Sequence, residues 1–128
     1  MSVDYLILIV EDTVEFAKLS QMILGRIGLQ THHAVDGDEA VTFIEHTRPD
    51  LVLLDLNLPG KSGWQVLESL YERYGDRSVP IIVTTAYSDG ANRVIGKLQD
   101  VEHYLVKPFP PKVLQEAVQN ALGLGEAS

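Results

Sequence analysis

The sequence predicts an α/β domain built on a five-stranded parallel sheet with helices on both faces. Three observations predict it. Four short apolar runs lack the alternation of a half-exposed strand: Ile7-Leu8-Ile9-Val10, Leu51-Val52-Leu53-Leu54, Ile81-Ile82-Val83 and Tyr104-Leu105-Val106. Such runs suit strands buried on both faces. Between them lie stretches with apolar residues at helical spacing, so strand-like and helix-like periods alternate five times. Strict alternation of this kind favours a doubly wound sheet with right-handed crossovers.

Each element has its own signal. After the first strand and Glu11-Asp12, residues Thr13 to Ile27 carry Val14, Ala17, Ile23, Leu24 and Ile27 at helical spacing, and Gly28 is a stop. Thr13 is a weak cap, because Phe16 stands where a capping box would place an acid. Leu29 to Ala34 is a more polar strand, and His32-His33 suits the sheet edge. Asp36 or Asp38 caps a helix reaching His46, with Ala40, Val41 and Ile44 facing in. Leu51 to Leu54 is the third strand, and a loop follows from Asn57 to Gly63. Trp64, Leu67, Leu70, Tyr71 and Tyr74 mark the third helix, where Trp64 is expected to pack rather than bind. Pro80 to Thr84 is the fourth strand. Ser88-Asp89-Gly90 opens a weaker helix from Ala91 to Leu98, with Gly96 inside it. Val101 to Val106 is the fifth strand. Pro110-Pro111 suits the first turn of a last helix, lined by Leu114, Ala117, Val118, Ala121 and Leu122. The tail, residues 123 to 128, is polar and glycine-rich and is expected to be disordered. With the polar strand at one edge, the flavodoxin-like strand order 2-1-3-4-5 places the first and third strands side by side.

That order gathers chemistry at one rim, because residues at the carboxyl ends of parallel strands share it. Glu11, Asp12, Asp55, Thr85 and Lys107 all stand there. Three carboxylates together are costly unless a cation joins them. The cluster therefore predicts a divalent metal and an anionic ligand. Asp12 is also expected to serve the N-terminus of the first helix, which favours negative charge. His32, His33, His46 and His103 show no metal-ligand spacing and read as surface or edge residues. Thr84 and Thr85 are ambiguous neighbours, since alternation sends one to each face.

Composition sets the bounds. The 128 residues make one domain of ordinary size, with no internal linker or repeat. Apolar residues at 45% argue against disorder. A net charge of −8 argues against a nucleic-acid footprint, so no nucleic acid is expected as a partner. The absence of cysteine removes disulfides and thiolate metal sites and suits a cytoplasmic location. No run reaches the length of a membrane span, and Asp4 precedes the first apolar run without a basic leader, so no membrane insertion is expected.

The acidic pair Glu11-Asp12, the segment Leu53-Leu54-Asp55-Leu56-Asn57-Leu58-Pro59-Gly60, Thr85-Ala86, and Tyr104-Leu105-Val106-Lys107-Pro108-Phe109 occur in order, each at a strand end. Together they resemble the receiver domain of two-component response regulators, nearly end to end. The resemblance implies that Asp55 accepts a phosphoryl group from a sensor histidine kinase or a histidine phosphotransfer protein. It implies Mg²⁺ (or Mn²⁺) held by Asp12, Asp55 and the main-chain carbonyl of Asn57, with Glu11 acting through water. Thr85 and Lys107 would meet the phosphoryl oxygens, Thr85 and Tyr104 would form the switch, and Lys107-Pro108 would be cis. Where the family places Gly-Ala before the aromatic of the fifth strand, this chain has Asp100-Val101. The expected protein is not an enzyme beyond its own phosphorylation and dephosphorylation. If the receiver is the full protein, it resembles stand-alone chemotaxis-type regulators; if it belongs to a longer chain, the output module lies in the remainder. Its output face would lie on the fourth helix, fifth strand and fifth helix, meeting an unidentified protein target or a second copy in a weak dimer.

Three competing readings are weaker. A phosphatase of the haloacid-dehalogenase type needs a second aspartate two residues after the nucleophile, and Asn57 cannot protonate a leaving group. A flavodoxin-like cofactor carrier would want a phosphate cradle after the first strand, where Glu11-Asp12 would repel phosphate. A pseudo-receiver that works without phosphorylation would not need every site residue to be present.

Overall fold

The computed structural model describes residues 5–55, 63–75, 79–85 and 101–124. Five strands, β1 (Leu6–Val10), β2 (Gln30–Ala34), β3 (Leu51–Asp55), β4 (Ile81–Thr85) and β5 (Val101–Val106), form one parallel sheet in the order 2-1-3-4-5. Four helices are described: α1 (Val14–Gly25), α2 (Gly37–His46), α3 (Gly63–Tyr74) and α4 (Pro111–Ala121). The helix expected from Ala91 to Leu98, Asn57 and most of its loop, and the tail beyond residue 124 lie outside the described residues.

The period of two in the strands divides the core. Leu8, Val10, Val52, Leu54, Ile81 and Val83 pack with Ala40 and Ile44 of α2 and Val66, Leu67 and Leu70 of α3. Ile7, Ile9, Leu51, Leu53, Ile82 and Leu105 pack on the other side with Ala17, Ile23 and Leu24 of α1 and Leu114 and Val118 of α4. Both layers exclude water almost completely, which explains why these strands read as continuous apolar runs. The Tyr74 hydroxyl donates to the carbonyl of Ile44 at 2.5 Å and ties the ends of α2 and α3 together.

Local chemistry sets the element ends. Asp36, not Asp38, caps α2: its Oδ1 accepts from the Glu39 amide at 2.8 Å, and Glu39 Oε1 accepts from Val35 N at 2.9 Å. Thr13 is the N-cap residue of α1 and makes no side-chain cap, as its weak signal implies. The carboxylate that meets the opening of α1 belongs to Glu11, whose Oε2 accepts from Thr13 N at 3.1 Å. Asp12, exposed, stands one residue before that N-cap, beside the helix end where negative charge is expected. α1 also ends earlier than Ile27. Gly28, at φ 84°, turns the chain so that Leu29 N reaches back to the Leu24 carbonyl at 3.2 Å, drawing 26–28 out of the helix.

Two further corrections concern strand and tail. β3 and β4 each run one residue past Leu54 and Thr84, so Asp55 and Thr85 belong to the ladder, with Asp55 level with Thr84. At the other end, Gly123 and Leu124 are not part of a disordered tail. Their amides donate to the carbonyls of Asn120 at 3.1 Å and Gln119 at 2.7 Å, closing α4. The β4–β5 register slips after Ile81, which pairs with Val101 while Ile82 pairs with His103. The extra residue is Glu102, next in sequence to Val101, the second residue of the sequence departure.

Candidate functional site

The alternation that builds the core also builds the site. Ile7 and Ile9 face α1 and α4, and two residues on stands Glu11. Leu51 and Leu53 face the same way, and Asp55 follows. Leu105 does too, and Lys107 follows. One period of two in three strands thus carries two carboxylates and an ammonium to the same side of the rim. There Lys107 Nζ donates to Glu11 Oε1 at 2.5 Å and to Asp55 Oδ2 at 3.0 Å. The three side chains are 16%, 3% and 6% exposed, so solvent screens these pairs only weakly. The Lys107-Pro108 peptide is cis, as the resemblance implied.

Asp12 completes an acidic group. One carboxylate oxygen from each of Glu11, Asp12 and Asp55 lies within 4.8 Å of the others, with Asp12 exposed and the other two buried. The donors are all oxygen, as a hard divalent cation requires, and the exposed member leaves room for water ligands. Among the described residues no other group of three histidine, cysteine or acidic side chains meets in this way. His32, His33 and His46 do line an open groove of about 650 Å³ between β2 and α2, with Asp38 and Glu39. They do not converge as a ligand set.

The electrostatics follow from burial. Desolvation raises the Glu11 carboxyl above its ordinary range, and the negative charge of Asp55 adds to this. The hydrogen bond from Lys107 opposes that rise without cancelling it. For Lys107, burial works against the ammonium, but its hydrogen bonds to Glu11 and Asp55 prevail and raise its pKa. The ammonium thus remains charged and holds together two carboxylates that would otherwise repel.

Two residues at the site carried no recognised signal in the sequence. His33, expected only as an edge residue, brings Nε2 to 2.6 Å from the Glu11 main-chain carbonyl. Period two along β2 could have placed it there, because His33 lies level with Ile9 in the β1–β2 register. Phe16 sets its ring 4.5 Å below Lys107 Nζ and meets Phe109 edge-on, with ring centroids 5.4 Å apart. Only its place one helical turn after Asp12 hinted at this. Thr84 is buried beside Asp55 in the ladder. The side chains of Thr85 and Tyr104 and the whole of Asn57 lie outside what the structure describes, so their expected roles are neither met nor contradicted.

A sequence profile of the response regulator receiver domain matches residues 7–119. The chain belongs to that family. Among curated proteins, this receiver domain is 39% identical over 116 residues to the DNA-binding response regulator MtrA of Mycobacterium tuberculosis, covering 91% of this chain and 50% of that one. The receiver domain therefore spans about half the length of that relative. Among solved structures it is similar to a CheY-like response regulator receiver domain from Methanospirillum hungatei, with TM-score 0.84 and 26% identity over 94% of this chain and 95% of that one. The chemotaxis response regulator CheY4 of Vibrio cholerae shares the fold, with TM-score 0.83 and 24% identity over 93% and 99% of the two chains. Among the described residues of this receiver domain, no helix is long and apolar enough to cross a membrane.

Proposed function

We propose that this receiver domain is a phosphoacceptor of a two-component system, taking a phosphoryl group onto Asp55 from a phosphohistidine of a sensor kinase or phosphotransfer protein. The observation that carries the reading is the Lys107 ammonium seated on both Glu11 and Asp55 at the carboxyl ends of three strands. An Asp55 oxygen attacks phosphorus, the phosphorus–nitrogen bond breaks, and the imidazole leaves with its electron pair and takes a proton. Lys107 turns from neutralising carboxylates to neutralising phosphoryl oxygens, which is the positioning and charge stabilisation that phosphoryl transfer requires. Glu11, Asp12 and Asp55, with the Asn57 carbonyl, would hold Mg²⁺ (or Mn²⁺), and the ion would supply positive charge at the phosphoryl oxygens.

The protein acts in the cytoplasm and catalyses only its own phosphorylation and dephosphorylation. Its output is a change in which protein it binds. Thr85 and Tyr104 form the switch, and the output face lies around β5, α4 and the helix expected from Ala91 to Leu98. Acetyl phosphate with Mg²⁺ tests the reading. One hydroxylamine-sensitive phosphoryl group per chain is expected, and none on Asp55→Asn. Equal labelling of that variant would overturn the assignment.

A further inference from the structure

Phe16 lies in the first turn and a half of α1, where a capping box would have placed a glutamate. The helix forgoes that acid, and the aromatic ring is only half-buried. Its contacts are at the rim. Phe109 braces it edge-on, a geometry in which the positive edge of one ring meets the negative face of another. The Lys107 ammonium stands 4.5 Å over the ring centroid, well inside the range of a cation–π attraction. The ammonium therefore has three seats: the Glu11 carboxylate, the Asp55 carboxylate and the Phe16 ring.

The seats are not equivalent during function. Glu11 and Asp55 are the carboxylates that a divalent cation would recruit. A cation drawn to them repels the ammonium and weakens both ion pairs. The ring face is neutral and is not a metal ligand, so it remains available whatever the carboxylates do. We infer that Phe16 is a positioning residue for Lys107, holding the ammonium at the rim when metal takes over its two carboxylates. It touches neither phosphoryl donor nor acceptor and acts only through Lys107.

The inference rests on the proposed phosphoacceptor role, and one experiment separates the two. Phe16→Leu keeps an apolar side chain but removes the π face, whereas Phe16→Tyr keeps the face. The first readout is the NMR ring-current shift of the Lys107 ε-methylene protons, followed as Mg²⁺ is added. In the wild type and Phe16→Tyr the upfield shift should persist at saturating Mg²⁺, and in Phe16→Leu it should vanish. The second readout is the rate of phosphorylation by acetyl phosphate at saturating Mg²⁺. Phe16→Leu should lose about three- to tenfold, the size of a partly screened cation–π contact, and Phe16→Tyr should stay near the wild type. Loss of the wild-type shift on adding Mg²⁺ would overturn the inference. So would equal rates in Phe16→Leu and the wild type, or equal losses in both variants. If the wild type takes no phosphoryl group at Asp55, the proposed function fails, while the NMR arm still decides whether Phe16 holds Lys107.

Discussion

At the scale of single residues, the site is a balance of three buried charges, and its titration has a definite sign. The Glu11 carboxyl is raised from an ordinary value of 4.5, first by desolvation and also by Asp55. A carboxyl with a raised folded pKa binds its proton more tightly in the folded state than in the unfolded one. Its ionisation therefore costs stability as pH rises from 4.5 through the raised value. In the metal-free protein, Glu11→Gln removes that cost. Urea unfolding in chelator should show the variant gaining on the wild type as pH rises from 4.5 through the raised pKa of Glu11. A gap that moves the other way would mean that the hydrogen bonds to Lys107 and Thr13 outweigh burial. Lys107 has the opposite sign. Its pKa is raised above 10.5, so its pairs contribute fully below that value and are lost as pH rises through the raised one. Alkaline destabilisation should therefore be weaker in Lys107→Met.

At the scale of elements, positions that look alike in sequence do unlike work. Gly28 at φ 84° would have open space around an added Cβ, so Gly28→Ala costs only the left-handed backbone, about 1 kcal/mol by thermal or urea unfolding. Leu114 is fully buried under the sheet, and Leu114→Ala should cost about 2–5 kcal/mol through lost burial and a cavity. The contrast explains how much of the fold was legible. Ile7 to Val10 and Leu51 to Leu54 announced themselves because a strand buried on both faces has no polar position to confuse it. The end of α1 was misplaced because Ile27 fits the helical period, while the competing turn depends on a hydrogen bond from Leu29 that periodicity does not express. Asp55, Glu11 and Lys107 were legible as a rim because parallel strands end together. Phe16 and His33 were not, since each reaches the site through one contact set by how α1 and β2 pack.

At the scale of the whole molecule, the sheet brings residues nearly a hundred positions apart into one electrostatic unit, and that unit sets the terms for metal. Three carboxylates without compensation would repel and weaken the fold. Lys107 forestalls this by pairing with two of them from the far end of the chain. A divalent cation at the rim must therefore compete with an ammonium already in place, so the affinity should be modest and in the millimolar range. Bound metal should still raise the melting temperature by mass action, and Asp12→Ala should blunt that shift. The decisive variant is Lys107→Met, which keeps much of the side-chain length and removes the charge. Without the ammonium, the mutual repulsion of two buried carboxylates is no longer offset by Lys107, so the metal-free protein should lose about 3 kcal/mol of stability. With no positive charge to displace, Mg²⁺ should bind about tenfold more tightly. The two effects have opposite signs and are read by different measurements, urea unfolding in chelator and calorimetric titration with Mg²⁺. A variant merely damaged in its fold would lose both stability and metal. One that loses stability and gains affinity can do so only if Lys107 and the metal compete for the same carboxylates. Weaker Mg²⁺ binding in Lys107→Met would show instead that the ammonium organises the acidic group for metal rather than guarding it.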